Sequence, residues 1–299
     1  MNNLRPRLLS FCVVLAGCAD STANRVPATS PSQMSASASR PSTSTPASEP
    51  QPEIATPTPS VVVSSAKADD RPLLNSAQSW QLIKDLRWPK PQTKIANYDA
   101  ARARFWSVYR TGGTELYCRF KFDSGMAKQP TKQPKALTVE HAYPADRIAE
   151  AFNFKDRNCG QSASAFTDAQ CAAAVADLHN LWPANQSTNA SRRDLRFTDL
   201  PGEANRNPLK VGCPDFERTY NKQGVEDFVD PAPDARGDIA RSLIYMSEVY
   251  NLPLDGAISD RELLLAWHEQ DPPDDEERSR EVVIRRLQGT WNPLVLPAP

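Results

Sequence analysis

From Trp80 to the C-terminus, apolar positions recur mostly at helical spacing, and each such run predicts a helix. Ala77 to Leu86 is the first. Tyr98 to Tyr109 is the second, with Ala101, Phe105, Trp106 and Tyr109 on one face. Gly112-Gly113 reads as the stop of that second helix. The period then changes: Glu115 to Phe122 alternates, which predicts a strand. A loop carrying Gly125, Pro130 and Pro134 leads to a short strand from Ala136 to Glu140. Val175 to Pro183 is an apolar segment with polar residues embedded in it, and Ser187 or Thr188 is placed to cap a short helix beyond it. Arg236-Gly237-Asp238 opens a helix through Tyr250, with Ile239, Leu243, Met246 and Tyr250 on one side. Further helices are expected from Arg261 to Glu269 and from Glu281 to Leu287. No internal repeat is found. The expected fold class is α+β, mainly α, over residues 71–299, a length that allows a substantial core.

The front of the chain follows none of these periods. Arg5 and Arg7 precede a short apolar run, Leu8 to Ala16, too brief to span a bilayer. It ends in Leu15-Ala16-Gly17-Cys18, the pattern of a bacterial lipoprotein signal, in which cleavage after residue 17 leaves Cys18 acylated at the new N-terminus. The plainer reading is an ordinary secretory signal with an incidental cysteine. Ala19, in place of an aspartate, favours the outer membrane. Residues 18–70 are rich in Ser, Pro, Ala and Thr and hold no aromatic residue, so they bury too little apolar surface to offset ordering entropy. A disordered tether is expected, reaching roughly 40 Å as a coil and about 150 Å as polyproline II. It would hold the domain off the membrane, facing the periplasm or the exterior.

The chain has a formal net charge of -1, so composition alone does not announce a nucleic-acid binder. The charge is unevenly spread. Lys84 to Lys135 is predominantly basic, and Asp255 to Glu281 is acid-rich around Asp274-Asp275-Glu276-Glu277. The basic stretch reads either as the lining of a phosphate groove or as a solvated face. Of the 6 cysteines, Cys12 leaves with the signal and Cys18 would carry lipid. Cys118, Cys159, Cys171 and Cys213 remain, and in an oxidising compartment they predict two disulfides with three possible connectivities. Cys159 and Cys171 are close in sequence, which favours that pair together with Cys118 and Cys213. None shows the C-x2-C spacing beside a histidine that would point to zinc.

Two of the 3 histidines, His141 and His179, fall between Val139 and Phe197. In Glu140-His141 a neutral imidazole can take a proton from water, and a carboxylate is a hard oxygen ligand for Mg2+ or Ca2+. Neighbouring side chains on a strand face opposite ways, so both reach one phosphate only where the chain turns, and Pro144 is consistent with a turn. Each signal is weak alone. A Glu-His pair is usually structural, Asn189 by itself is a surface residue, and Arg157 by itself is a surface ion pair. His179, flanked by Leu178 and Leu181, reads as buried packing, with Asp177 and Asn180 in the same structural segment.

In order, Glu140-His141-x-x-Pro144, Asp177-Leu178-His179-Asn180-Leu181-x-Pro183, Asn189 and Arg192 to Phe197 resemble the bacterial endonuclease I family. Its members are secreted or periplasmic nucleases with a ββα-metal (His-Me finger) site. The likeness covers most of residues 98–293. It takes in Leu116-Tyr117-Cys118, Ala235 to Arg241, Tyr245-Met246-Ser247, Ala266-Trp267 and Gln288 to Pro293. The resemblance implies that His141 is the general base and that Glu140 and Asn189 bind one Mg2+, with Ca2+ or Mn2+ possible in its place. It also implies that Arg157 binds phosphate, with a disulfide at Cys159 fixing it. The partner would be DNA, and RNA as well, cut without strong sequence preference to 5′-phosphates by a monomer. A non-catalytic nucleic-acid-binding envelope lipoprotein is the alternative, against which the intact Glu140, His141 and Asn189 stand. There are departures. Ala190 stands where a glycine is usual, the cysteine framework around Cys171 differs, and the domain is nearly neutral where family members tend to be basic.

Overall fold

The computed structural model describes residues 75–128, 130, 136–159, 168–200, 213, 215–219 and 228–299. The leader, Cys18, the tether and the Lys132 to Lys135 end of the basic stretch lie outside the described residues. Asn75 opens helix α1 (Ser76–Lys84) by a reciprocal cap with Gln78. Asn97 caps α2 (Tyr98–Val108) through the Ala100 amide. Both lie within two residues of the expected spans.

The next segment departs from expectation. Gly112 and Gly113 do not stop α2; they form strand β1 (Gly112–Thr114), which pairs antiparallel with β2 (Lys121–Asp123). Gly112 has φ +102°, and a Cβ there would meet the Phe122 carbonyl oxygen at 2.3 Å, so glycine is required by the close strand pairing. The strand expected over Glu115 to Phe122 is a turn that joins the ladder only at Lys121. Glu115 causes this. Its buried carboxylate accepts the amides of Tyr117, Cys118 and Asn185, the last at 2.8 Å. Leu116 and Tyr117 are thereby both buried from a bend rather than from one face of a strand.

After α3 (Ser124–Lys128) comes β3 (Leu137–His141), followed by α4 (Ala145–Ala151) and α5 (Ala169–Val175), which Asp168 caps. A 3-10 turn, Leu178–Asn180, then feeds β4 (Leu181–Asn185), the antiparallel partner of β3, in the register Glu140 to Trp182 and His141 to Leu181. Next is α6 (Gln186–Arg192). Its cap is Asn185, whose side chain accepts the Ser187 and Thr188 amides, so these two are donors and not the capping residues expected. A small sheet of β5 (Arg196–Phe197), β6 (Glu217–Arg218) and β7 (Phe228–Asp230), in the order β5-β7-β6, precedes α7 (Arg236–Tyr250), α8 (Glu262–Gln270) and α9 (Asp275–Gln288). The expected helix at Glu281 thus begins earlier, at Asp275. Asp274 caps it and the acidic run fills its first turn, where the helix dipole favours negative charge. The fold is α+β, mainly α.

Two apolar clusters enclose the β3–β4 pair. Trp182 and Ala184 belong to the larger, built around α7, while Leu137 and Leu181 belong to the smaller, with Phe105 of α2 and Ile284 of α9. Where they meet, a buried ionic cluster fastens the 3-10 turn to α9. His179 places Nδ1 3.0 Å from Asp177 and Nε2 2.9 Å from Glu281. Both ring nitrogens face carboxylates, so the ring carries two protons and a positive charge. Burial opposes that charge, but Glu281 and Asp177 prevail and raise the pKa to about 9. Asp177 also accepts from Gln288 at 2.7 Å, Tyr245 at 3.0 Å and Tyr250 at 2.8 Å.

The sign of the resulting pH dependence follows from linkage. A His179 pKa of about 9 when folded, against 6.5 when unfolded, gives stability that is complete below pH 6.5 and lost as pH rises through 9. The expected loss is on the order of 3 kcal/mol. His141 and His268, both lowered to about 4 chiefly by burial, act oppositely and erode stability between pH 6.5 and 4. Guanidinium unfolding should therefore show stability falling from pH 6.5 to 9. Glu277, raised to about 8 chiefly by burial, adds to the fall below pH 8, so it is the fall between pH 8 and 9 that should vanish in His179→Gln, whatever the variant's absolute stability; an unchanged fall there would remove His179 as its source.

Candidate active site

Three pieces of backbone build the site: β3, its antiparallel partner β4, which lies beyond α4 and α5 in the chain, and α6, which follows β4 directly. The strand pair presents Glu140 and His141 at the end of β3, and α6 folds back across it. Two donors meet on one carboxylate oxygen of Glu140. The Tyr117 hydroxyl donates to Oε1 at 2.6 Å and Arg192 Nη1 donates to the same atom at 3.0 Å. Neither touches Oε2. Arg192 is fully buried and also donates to the carbonyls of His141 at 3.0 Å and Ala142 at 2.7 Å, with its guanidinium 4.6 Å from the Phe197 ring centroid. It therefore holds the strand end where the chain leaves the ladder. Burial raises the pKa of Glu140, while the Arg192 charge and the Tyr117 hydrogen bond oppose that rise.

His141 is directed by a helix end. Its Nε2 lies 2.9 Å from the carbonyl of Val175, the last residue of α5. A carbonyl can only accept, so Nε2 carries the proton and Nδ1 keeps the lone pair. The Tyr98 ring packs against the imidazole with centroids 4.9 Å apart. Burial, helped by the charges of Arg157 and Arg192, lowers the pKa to about 4 against the pull of the Val175 bond. The ring is neutral at pH 7.

Asn180 continues the geometry beyond the strand. Its side-chain amide bonds both backbone groups of Tyr143, at 2.6 and 2.9 Å, and its carbonyl accepts the Ala142 amide at 3.0 Å. The turn that Pro144 pointed to is thus held by Asn180. Asp177, His179 and Asn180 are all buried and carry the frame of the site. Asn189, half-buried on α6, sets its amide nitrogen 3.5 Å from the Val139 carbonyl, one residue before Glu140. Its amide oxygen is not part of that contact.

Arg157 lies exposed in the turn before Cys159, and its charge acts on Tyr98, Glu140 and His141 alike. That turn is held by Asp156, which accepts the amides of Asn158 and Cys159. The disulfide Cys159–Cys171 ties it to α5, the helix whose end directs His141, and Cys118 pairs with Cys213. These are the pairings favoured from spacing. The Cys118 sulfur lies 3.2 Å from Thr188 of α6, so the second bridge backs the helix that carries Asn189. Tyr117, Arg192, Tyr98 and the Val175 carbonyl escaped a reading by residue type. The first three stand inside or beside the quoted motifs, whereas a backbone carbonyl leaves no sequence signal.

Residues 75–298 match the family model described as Endonuclease I. The chain is 37% identical to a periplasmic deoxyribonuclease of Aeromonas hydrophila, over 69% of this chain and 88% of the relative. An extracellular deoxyribonuclease of the same organism is 29% identical over 69% of this chain and 91% of its own length. A shorter match, 27% identical over 40% of this chain and 43% of the relative, is to an extracellular ribonuclease of Bacillus subtilis (strain 168). With a match that spans the whole described domain, the chain belongs to the endonuclease I family and is an endonuclease acting on nucleic acid.

Proposed function

We propose that this chain is an exported, metal-dependent endonuclease that hydrolyses DNA and RNA with little sequence preference and leaves 5′-phosphates. The observation that carries the reading is the β3–β4–α6 unit, which gathers Glu140, His141 and Asn189 on adjoining backbone with the exposed cation of Arg157 alongside. The donor chemistry fits one hard divalent ion. A buried carboxylate whose ionised form is disfavoured by burial is stabilised by a cation, and both Glu140 Oε2 and the Asn189 amide oxygen are hard ligands. Among the described residues no three His, Cys, Asp or Glu side chains converge to cage an ion. Glu140 and Asn189 would therefore hold Mg2+, or Ca2+ or Mn2+, with water and phosphate oxygens filling the remaining positions. When bound, the ion supplies charge that stabilises the developing phosphoryl oxygens and the leaving 3′-oxygen.

The protein's own groups do the rest. His141, neutral and oriented by Val175, takes the proton of the attacking water on Nδ1. Arg157 holds a phosphate oxygen by a charge-assisted hydrogen bond. Arg192, buried beneath Glu140, is a positioning residue and cannot reach substrate. Contacts of these kinds read phosphate and not base edges, which accounts for low specificity. Export is supported by the Leu8 to Cys18 leader and by the names of the relatives, periplasmic and extracellular. Acylation of Cys18 would fasten the monomer to the outer membrane. Among the described residues no helix is long and apolar enough to cross a membrane.

Nicking of supercoiled plasmid by the full chain tests the mechanism. Cutting is expected with Mg2+ and abolished by EDTA, and His141→Ala should lose about 10²- to 10⁴-fold in rate, the usual range for a general base. Cutting in EDTA by chelator-treated enzyme would refute the metal, and a fully active His141→Ala the base. A non-catalytic binder would retain plasmid without nicking it. For the brace on Arg157, Cys171→Ser should lower the turnover number several-fold while the circular dichroism spectrum stays that of the parent; undiminished turnover would show that the bridge does not position the arginine.

A further inference from the structure

A groove of about 480 Å³ runs beside the site, between α2 and the outer side of β3, and the mechanism leaves it unused. Tyr98, Arg102 and Trp106 line it from the helix at positions i, i+4 and i+8, and Thr138 and Val139 line it from the strand. The groove is continuous with the site at two points. Tyr98 packs on the His141 ring, and Val139 is the residue whose carbonyl faces Asn189. Arg102 is exposed with its guanidinium 5.8 Å from the Tyr98 ring centroid, while Tyr98 and Trp106 are half-buried. The lining is therefore aromatic, cationic, aromatic along one helix face. Asp99, which also lines the groove, keeps its net charge low, so attraction of phosphate alone does not suit it to a large duplex surface.

We propose that this groove is a binding subsite for an unpaired nucleic-acid strand, in which bases stack on Tyr98 and Trp106 and Arg102 holds the intervening phosphate. The proposal rests on the nuclease reading above. Its geometric support is the spacing. Eight helical residues separate the two rings by roughly 12 Å, more than three times the ~3.4 Å per nucleotide of a duplex strand. Bases on the two rings must be splayed apart, which an unpaired strand permits and a stacked duplex does not. Aromatic faces flanking a basic side chain are the general means of holding single strands without reading sequence. The strand would leave the groove at Tyr98, beside the imidazole, which puts a neighbouring phosphate at the reacting groups.

The test uses the full chain in EDTA, where binding is separated from cutting, with fluorescently labelled oligothymidylate and a hairpin duplex of equal length as probes. Arg102→Ala and Trp106→Ala should each weaken oligothymidylate binding about tenfold more than duplex binding, the order expected for one lost stacking or phosphate contact. Because Trp106 also packs against Phe105 and Phe122, Ala103→Trp serves as the second variant. Ala103 is exposed at the groove and a large side chain there fills it without disturbing the core. The same selective loss is expected from it. Equal losses for both probes, or unchanged oligothymidylate affinity in Arg102→Ala and Ala103→Trp, would overturn the subsite. Plasmid nicking by the parent protein, measured in parallel with Mg2+, reports separately on the nuclease mechanism.

Discussion

The rest of the structure depends on one buried imidazolium. His179 sits between Asp177 and Glu281 with about 1% of its surface exposed, and taking three charges out of water is costly unless every proton and lone pair is met. Here they are met by groups from separate parts of the chain. Asp177 takes hydroxyls from Tyr245 and Tyr250 of α7 and an amide from Gln288 at the end of α9, while Glu281 takes the Asn292 amide. Losing any one element leaves a charge in an apolar interior. The cluster therefore sets the register of α7, α9 and the 3-10 turn together, and the turn leads directly into β4, the strand that pairs with Glu140 and His141. The strand that pairs with the proposed catalytic residues is placed by a charge network sealed from solvent.

Two buried arginines extend the same logic to either side of the β3–β4 pair. Arg280 of α9 donates to the carbonyls of Leu178 at 2.7 Å and Leu181 at 3.0 Å and lies 3.8 Å from the Trp182 ring centroid. Arg192 of α6 donates to the carbonyls of His141 and Ala142 at the other strand. Both segments are strand ends and the turns beside them, and an arginine fork meets several of their carbonyls at once. Arg241 is likewise internal, bound to Glu277 and Asp238. Arginines spent inside the fold do not contribute to an electropositive surface, so the nearly neutral formal charge says little about the face that meets substrate. Among the described residues, Arg157 and Arg102 are exposed cations beside the site.

Periodicity made the long elements legible. The spans of α1, α2, α7 and α8 follow from apolar spacing to within two residues, because a helix of that length must bury a face. It failed where polar side chains decide the backbone. Glu115 turns an alternating run into a bend by taking three amides, and Asn185 caps α6 although Ser187 and Thr188 look equally suited. The helices α4 and α5 were not read because each is short and alanine-rich, with little contrast between faces. In the candidate site, Glu140, His141, Asn189 and Arg157 stand out as a set only through their order and company. The partners that orient them, Tyr117, Arg192 and the Val175 carbonyl, come from distant segments or from backbone.

The role of α5 shows why such partners matter more than their silence in the sequence implies. One seven-residue helix carries Cys171 in its first turn and ends on the Val175 carbonyl. A helix C-terminus leaves carbonyls without intrahelical donors, and one of these fixes the tautomer of His141. The bridge from its other end fixes the turn that bears Arg157. His141 and Arg157, the proposed proton acceptor and phosphate cation, are thus both tied to the same short helix, one at each end, so their separation is governed by the length of a helix and not by two independent loops. Positioning of this kind is worth large factors in rate because small displacements of reacting groups are costly. The Cys159–Cys171 bridge therefore does two things, holding the Arg157 turn against α5 and constraining the unfolded chain. The constraint it places on the unfolded chain is smaller than that of Cys118–Cys213, whose sequence separation is 95 against 12, but because that constraint grows only logarithmically with loop length, the geometric role is added to a stabilising one.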